Sequence, residues 1–120
     1  IQFMKLSIII PVYNEKNTIQ KILRKIKEVN YFEKQIIIID DGSTDGTYEL
    51  IKNFGFLSEH KIIRHSDNSG KGSAIKSSIN YISGNVVITQ DGDLKYDPSD
   101  YKNIINPIVN KENRVVYGSR

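Results

Sequence analysis

The sequence predicts an α/β domain: a mainly parallel sheet flanked by helices on both faces. Short apolar, β-branched runs alternate with segments of helical periodicity along the 120 residues. Strict alternation of this kind implies right-handed crossovers between parallel strands. The strand runs are apolar throughout and do not alternate with polar residues, as expected of strands covered on both faces. Each run also ends in a polar or acidic turn, and in such sheets ligands gather beyond the carboxyl ends of the strands.

The first strand spans residues 6–12, with Pro11 at its exit where a ladder donor is no longer needed. Ile19, Ile22, Leu23, Ile26 and Val29 then recur at helical spacing, with Asn17 as the N-cap. Residues 35–39 are a second strand, feeding Asp40-Asp41-Gly42-Ser43. A short helix over 47–54 follows, capped by Ser43, Thr44 or Asp45. A third strand covers 61–65, and Asn68-Ser69-Gly70-Lys71-Gly72 is a glycine-bearing loop. Ala74, Ile75, Ser78, Ile79 and Ile82 mark a helix that Gly84 closes as C′. Val86-Val87-Ile88-Thr89 is a buried strand that stops at Asp91-Gly92-Asp93. Asp97-Pro98 opens another helix, cap followed by proline, which ends near Pro107. Residues 114–117 are the last strand. Ile1, Gln2 and Phe3 are read as a cloning remnant before a native start at Met4, which leaves residues 4–120 as the domain.

Composition excludes several classes. Hydrophobic residues at 38% and charged residues at 26% are those of a soluble globular protein. There is no cysteine, so disulfides and thiolate metal sites are excluded. A formal charge of +3, scattered along the chain, does not argue for nucleic acid. Lys21, Arg24, Lys25, Lys27 and Lys34 gather on and after the first helix. They read as a solvated helix face, with contact to an anionic membrane surface as the other reading. No apolar run reaches the length of a membrane span. The expected location is cytoplasmic, with peripheral membrane contact.

Asp91 and Asp93 flank Gly92 at the exit of a buried strand, and an extended backbone points both side chains to the same side. Two such carboxylates repel unless they share a cation. Hard oxygen ligands suit Mg²⁺ or Mn²⁺. An acidic surface turn has the same composition. Asp41 and Glu15 sit at other strand exits, placed to accept hydrogen bonds from a base and ribose while Tyr13 packs on them. Lys71, beside two glycines at a helix start, is placed to meet a phosphate. The bland counterparts are a helix cap at 40–43 and a flexible turn at 70–72. His60 and His65 read as isolated surface or strand-edge residues, and Tyr48, Phe54 and Tyr81 as core.

Five segments in order carry a family resemblance: Ser7-Ile8-Ile9-Ile10-Pro11-Val12-Tyr13-Asn14-Glu15, Ile38 through Thr47 with Asp40-Asp41-Gly42-Ser43, Asn68 through Ala74, Asp91-Gly92-Asp93-Leu94-Lys95-Tyr96-Asp97-Pro98, and Val116-Tyr117-Gly118-Ser119-Arg120. Together they resemble the inverting family 2 glycosyltransferases of GT-A fold, whose nucleotide-binding half is Rossmann-like. The chain looks most like their dolichol- or polyprenyl-phosphate sugar transferase branch. The resemblance implies that Pro11, Tyr13, Glu15, Asp41, Lys71 and Asp91 bind the nucleotide. It implies that Asp91 and Asp93 hold Mg²⁺ or Mn²⁺, and that Asp91, Asp93 and Arg120 form the catalytic set. Lys95 departs from the branch, which often has glutamine or glutamate there.

The implied reaction is displacement at the anomeric carbon of a UDP- or GDP-sugar by an acceptor oxygen, with inversion. The implied acceptor is a lipid phosphate at a membrane surface. In the family, the acceptor pocket lies beyond the segment matching Arg120. These 120 residues are therefore expected to bind donor without transferring sugar, and to self-associate through an uncovered sheet edge near Val115. A non-catalytic nucleotide-sugar binder is the alternative. A receiver-type signalling domain fits less well, because its acidic pair follows the first strand, where this chain has Pro11-Val12-Tyr13-Asn14-Glu15.

Overall fold

The computed structural model describes residues 5–30, 32–92 and 97–98, with the backbone of 116–119. Strand β1 is Lys5–Val12, helix α1 Ile19–Glu28, β2 Glu33–Asp40, α2 Thr47–Lys52 and β3 Glu59–Arg64. Helix α3 is Lys71–Ser78, continued by a 3₁₀ turn at Ile79–Tyr81, before β4 at Val86–Thr89 and β5 at Val116–Ser119. The five-stranded sheet has the order β3-β2-β1-β4-β5, and every pairing is parallel. The predicted fold class is the observed one.

Strand β1 lies in the middle, and its side chains divide the core by the two-residue period of a strand. Leu6, Ile8, Ile10 and Val12 share one face with Ile36, Ile38 and Ile88, under Ile19, Ile22, Leu23 and Ile26 of α1. Ile9, Ile37, Ile39 and Val87 share the other face with Ala74 of α3. Each isoleucine or leucine so buried stabilises the fold by about 1.5–3 kcal/mol relative to exposure. The continuous apolar runs therefore belong to a sheet with both faces covered.

Several local expectations are corrected. Thr18, and not Asn17, holds the N-cap position of α1, and no side chain caps it. The carbonyl of Glu15 takes the N–H groups of Thr18 and Ile19 at 3.1 and 2.9 Å, which satisfies two of the orphan donors at this helix start from the backbone. At the other end, Lys34 donates to the carbonyls of Ile26, Lys27 and Val29. Burial there holds its pKa below the ordinary lysine value.

Helix α2 stops at Lys52, short of Phe54. None of the three cap candidates holds the N-cap position of α2, which is Gly46 with no side-chain cap, although Asp45 just before it accepts from Thr47 N at 3.0 Å. Gly84 is not the C′ residue of α3, which ends six residues earlier at Ser78. It instead lies against β1: a Cβ there would stand 2.6 Å from the Lys5 carbonyl and Ser7 Oγ, and its N–H donates to Ser7 Oγ at 2.8 Å. Only glycine lets the two backbones approach so closely. Tyr81 is 45% exposed and carries Lys61 over its ring, so it is not core. Phe54 does pack against the α1-side core. β3 begins two residues earlier than expected, and β5 is shifted toward Ser119. The helix expected after Pro98 lies outside the described residues.

Candidate functional site

The order β3-β2-β1-β4-β5 means that the chain leaves β1 toward β2 and β3, then crosses back to place β4 on the other side of β1. The exits of β1 and β4 diverge around a crevice at that switch point. A cleft of about 220 Å³ opens there, and Pro11, Tyr13, Glu15, Asp41, Lys71 and Asp91 all line it. Those are the six residues named from the sequence as nucleotide-binding. Asp93, Lys95 and Arg120 lie outside the described residues.

The turn after β1 is set by Asn14, a non-glycine residue at φ 52°. Asparagine tolerates that left-handed conformation better than most residues. Here it is pinned from both sides: its N–H donates to Ser43 Oγ at 2.9 Å, and its Oδ1 accepts from Thr44 N at 2.8 Å. The N–H of Glu15 donates to Thr47 Oγ1 at 2.9 Å. The exits of β1 and β2 are thereby bolted together, leaving the Tyr13 ring 44% exposed at the cleft.

Gly92 brings the β4 exit against that turn. A Cβ on it would lie 2.7 Å from Val12 Cγ1 and 3.1 Å from Glu15 Cγ, a close approach that glycine permits. Thr18 Oγ donates to the Gly92 carbonyl at 2.6 Å. The hydroxyl that does not cap α1 joins α1 to the β4 exit instead.

Asp41 is buried, and the loop before α3 closes around it. Its Oδ1 accepts from His65 Nδ1 at 2.7 Å and from Ser69 Oγ at 2.9 Å. Its Oδ2 accepts from Gly70 N at 2.7 Å, and Ser69 N reaches both oxygens at 3.1 Å. Burial pushes the carboxyl pKa up, but bonds from His65, Ser69 and Gly70 outweigh it and hold the group at about 2. Asp41 is thus an anion at neutral pH and can only accept.

His65 is not the isolated residue expected. Besides Asp41 it reaches Ser77 Oγ on α3 through Nε2 at 2.8 Å, and its N–H donates to the Asp40 carbonyl at 2.8 Å. The signal was in the register: Asp40 pairs with Arg64, so the following residues, Asp41 and His65, leave neighbouring parallel strands side by side. The neighbouring Asp40 is fully buried, and its Oδ1 accepts from Ser43 N at 3.2 Å. Arg64 Nε stands 3.8 Å from Asp40 Oδ2, with its guanidinium over the Tyr48 ring.

Across the cleft the chemistry is different. Asp91 Oδ1 meets Lys71 Nζ at 2.6 Å, from the first turn of α3. Among the described residues no group of three or more His, Cys, Asp or Glu side chains is gathered to hold a metal. The donor chemistry nevertheless fits a hard cation. The charged lining of the cleft is three carboxylates, Glu15, Asp41 and Asp91, against one lysine, and a positive charge already sits on Asp91.

A larger cleft of about 430 Å³ opens at the amino ends of β2 and β3, among Phe32, Phe54 and Phe56. Two of its ionic groups are engaged elsewhere, Lys34 with the carbonyls ending α1 and Glu59 with Lys5 at 2.8 Å. The smaller cleft is the one with converging chemistry.

A parallel sheet with this crossover and a polar cleft at its switch point defines an α/β domain of Rossmann type. The chain belongs to glycosyl transferase family 2, whose family model matches residues 7–120. It is 32% identical over 129 aligned residues to a UDP-N-acetylglucosamine–dolichyl-phosphate N-acetylglucosaminyltransferase of Methanococcus voltae, covering 94% of this chain and 51% of that protein. It is 31% identical to a dolichol-phosphate mannosyltransferase of Pyrococcus furiosus, covering 98% of this chain and 33% of that protein. The chain therefore spans about half or less of the length of these curated relatives. Among solved structures, Mycobacterium tuberculosis glucosyl-3-phosphoglycerate synthase, in complex with Mn²⁺, UDP and glucosyl-3-phosphoglycerate, superposes with a TM-score of 0.70 at 24% identity, over 91% of this chain and 41% of that one. S. aureus TarS in complex with UDP gives 0.69 at 24% identity, over 88% and 33%. Both share the GT-A fold. No helix among the described residues is long and apolar enough to cross a membrane.

Proposed function

We propose that this chain binds the nucleoside diphosphate of a nucleotide-sugar and serves transfer of the sugar to an acceptor oxygen, that of a polyprenyl phosphate above all. The observation that carries this reading is the convergence of Tyr13, Glu15, Asp41, Lys71 and Asp91 on one cleft at the switch point of the sheet. The names of the Methanococcus and Pyrococcus relatives supply the acceptor class.

In this reading the Tyr13 ring packs on the nucleoside. Asp41 is ionised and acceptor-only, so any nucleoside group that meets it must be an N–H or O–H donor. Lys71 and the unpaired N–H groups at the start of α3 face the phosphates. Asp91, with Asp93, would hold Mg²⁺ or Mn²⁺. When bound, such an ion supplies Lewis-acid stabilisation of the negative charge that develops on the leaving diphosphate. Three carboxylates against one lysine would otherwise repel a diphosphate. An acceptor phosphate is already ionised near neutral pH and needs no general base, whereas a sugar hydroxyl would. Displacement proceeds with inversion, and the described residues account for the donor side only.

Calorimetry with UDP and GDP, in Mn²⁺ and in chelator, tests the reading. Binding in Mn²⁺ that is lost in chelator and in Asp91→Asn is expected. Equal affinity in both conditions would overturn the metal assignment, and no binding of either nucleotide would overturn the function.

A further inference from the structure

The pair between Lys71 and Asp91 joins two elements that are remote in sequence, the first residue of α3 and the exit of β4, across the mouth of the cleft. At 2.6 Å the ammonium occupies Asp91 Oδ1. A divalent cation would need a carboxylate oxygen at about 2.0–2.1 Å. An ammonium already on the carboxylate lowers its affinity for a second cation, because the two positive charges repel across a few ångströms of partly buried cleft. Asp91 is 22% exposed while Lys71 is 53% exposed on a flexible four-carbon stem. Lys71 is therefore the partner that moves.

From this we infer that Lys71 opposes cation binding at Asp91 until a diphosphate arrives, so that divalent cation and nucleotide bind as a coupled pair. The inference rests on the nucleoside diphosphate reading of the cleft. A diphosphate gives the ammonium a new anionic partner at the start of α3, and that contact offsets the loss of Asp91. The freed carboxylate then faces the cation brought by the phosphates. The coupling is reciprocal, so UDP must raise the affinity for Mn²⁺ by the factor by which Mn²⁺ raises the affinity for UDP. Lys71 thus acts twice on the same equilibrium, opposing the metal alone and favouring the metal with nucleotide.

The test is Mn²⁺ binding followed by electron paramagnetic resonance of the free ion, on the 120-residue chain with and without UDP or GDP. Lys71→Met keeps the apolar stem and removes the charge, and Lys71→Gln is a second variant should the first melt early. Expected is an increase of about tenfold in Mn²⁺ affinity without nucleotide in Lys71→Met, together with a fall of about tenfold in UDP or GDP affinity in Mn²⁺. Asp91→Asn should abolish Mn²⁺ binding in both backgrounds. If either Lys71 variant binds Mn²⁺ alone no better than the parent, while the parent binds nucleotide with Mn²⁺, the gating role is overturned and the functional reading stands. Equal Mn²⁺ affinity of the parent with and without nucleotide also overturns it. If neither nucleotide binds the parent in Mn²⁺, the reading beneath the inference falls.

Discussion

Asp41 and Asp91 leave neighbouring parts of one sheet edge and line one cleft, yet they are held in opposite ways. The Asp41 side chain is 5% exposed and accepts from a histidine, a serine hydroxyl and two backbone N–H groups. The Asp91 side chain is 22% exposed, and its ion-pair partner is a half-exposed lysine. A carboxylate saturated by backbone donors fixes the shape of a wall, whereas one held by a single exchangeable cation stays available to a ligand. The difference separates a carboxylate fixed by the fold from one whose partner can exchange.

The largest expected effect on stability comes from emptying the saturated position. Asp41→Ala strands the N–H groups of Ser69 and Gly70 and the His65 ring, and should destabilise by about 3 kcal/mol in denaturant unfolding. A loss below about 1 kcal/mol would show that the wall does not depend on Asp41.

Acid sharpens the same contrast. The folded pKa of Asp41 is lowered from 3.8 to about 2, so the unfolded chain binds more protons as pH falls through that interval. Its contribution is complete above the ordinary carboxylate value and is lost as pH drops toward 2, amounting to about 2 kcal/mol. Melting followed from pH 6 to pH 2 should show this loss in the parent and not in Asp41→Asn, which carries no titrating carboxyl there. Identical acid profiles would assign the loss to other groups.

Gly92→Ala tests the junction between the two regions. Its methyl group would meet Val12 Cγ1 at 2.7 Å, and an overpacked contact of this kind costs about 1–2 kcal/mol. Nucleotide affinity should fall with it, because Glu15 lies against the same point. Unchanged melting and binding would mean that the β4 exit simply shifts outward.

The smallest change in stability belongs to Asp91→Asn. An ion pair whose lysine is half exposed contributes about 1 kcal/mol or less, so the melting temperature should scarcely move while metal-dependent nucleotide binding is lost. A melting loss as large as that of Asp41→Ala would abolish the contrast.

Much of this was legible in the sequence for a physical reason. Short, continuous β-branched runs such as Ile36 through Ile39, bounded by turn residues, read as strands covered on both faces, and parallel strands bring their exits to one edge. Pro11, Tyr13, Glu15, Asp41, Lys71 and Asp91 could therefore be assigned to one cleft before the fold was known. What stayed hidden depends on register and close packing. The place of His65 follows only once Asp40 is known to pair with Arg64. Gly84 has the sequence context of a helix C′ residue, and only the approach of β1 reveals its role. The Thr18 hydroxyl is spent on Gly92, 74 residues away, which no local rule anticipates.

The crossover that puts β4 beside β1, instead of beside β3, also dictates how the cleft comes into being. β1, β2 and β3 pair between consecutive strands of the chain, whereas β1 meets the β4 hairpin-free return through contacts such as Lys5 N to Asn85 Oδ1, across 80 residues. Chain closure over that span is slower than the neighbouring pairings. The Asp41 side of the cleft can thus assemble from nearby segments, while Asp91 arrives with the most distant contacts of the sheet. The wall is thus built from near neighbours in the chain and Asp91 from the most distant pairing, and the crevice requires both.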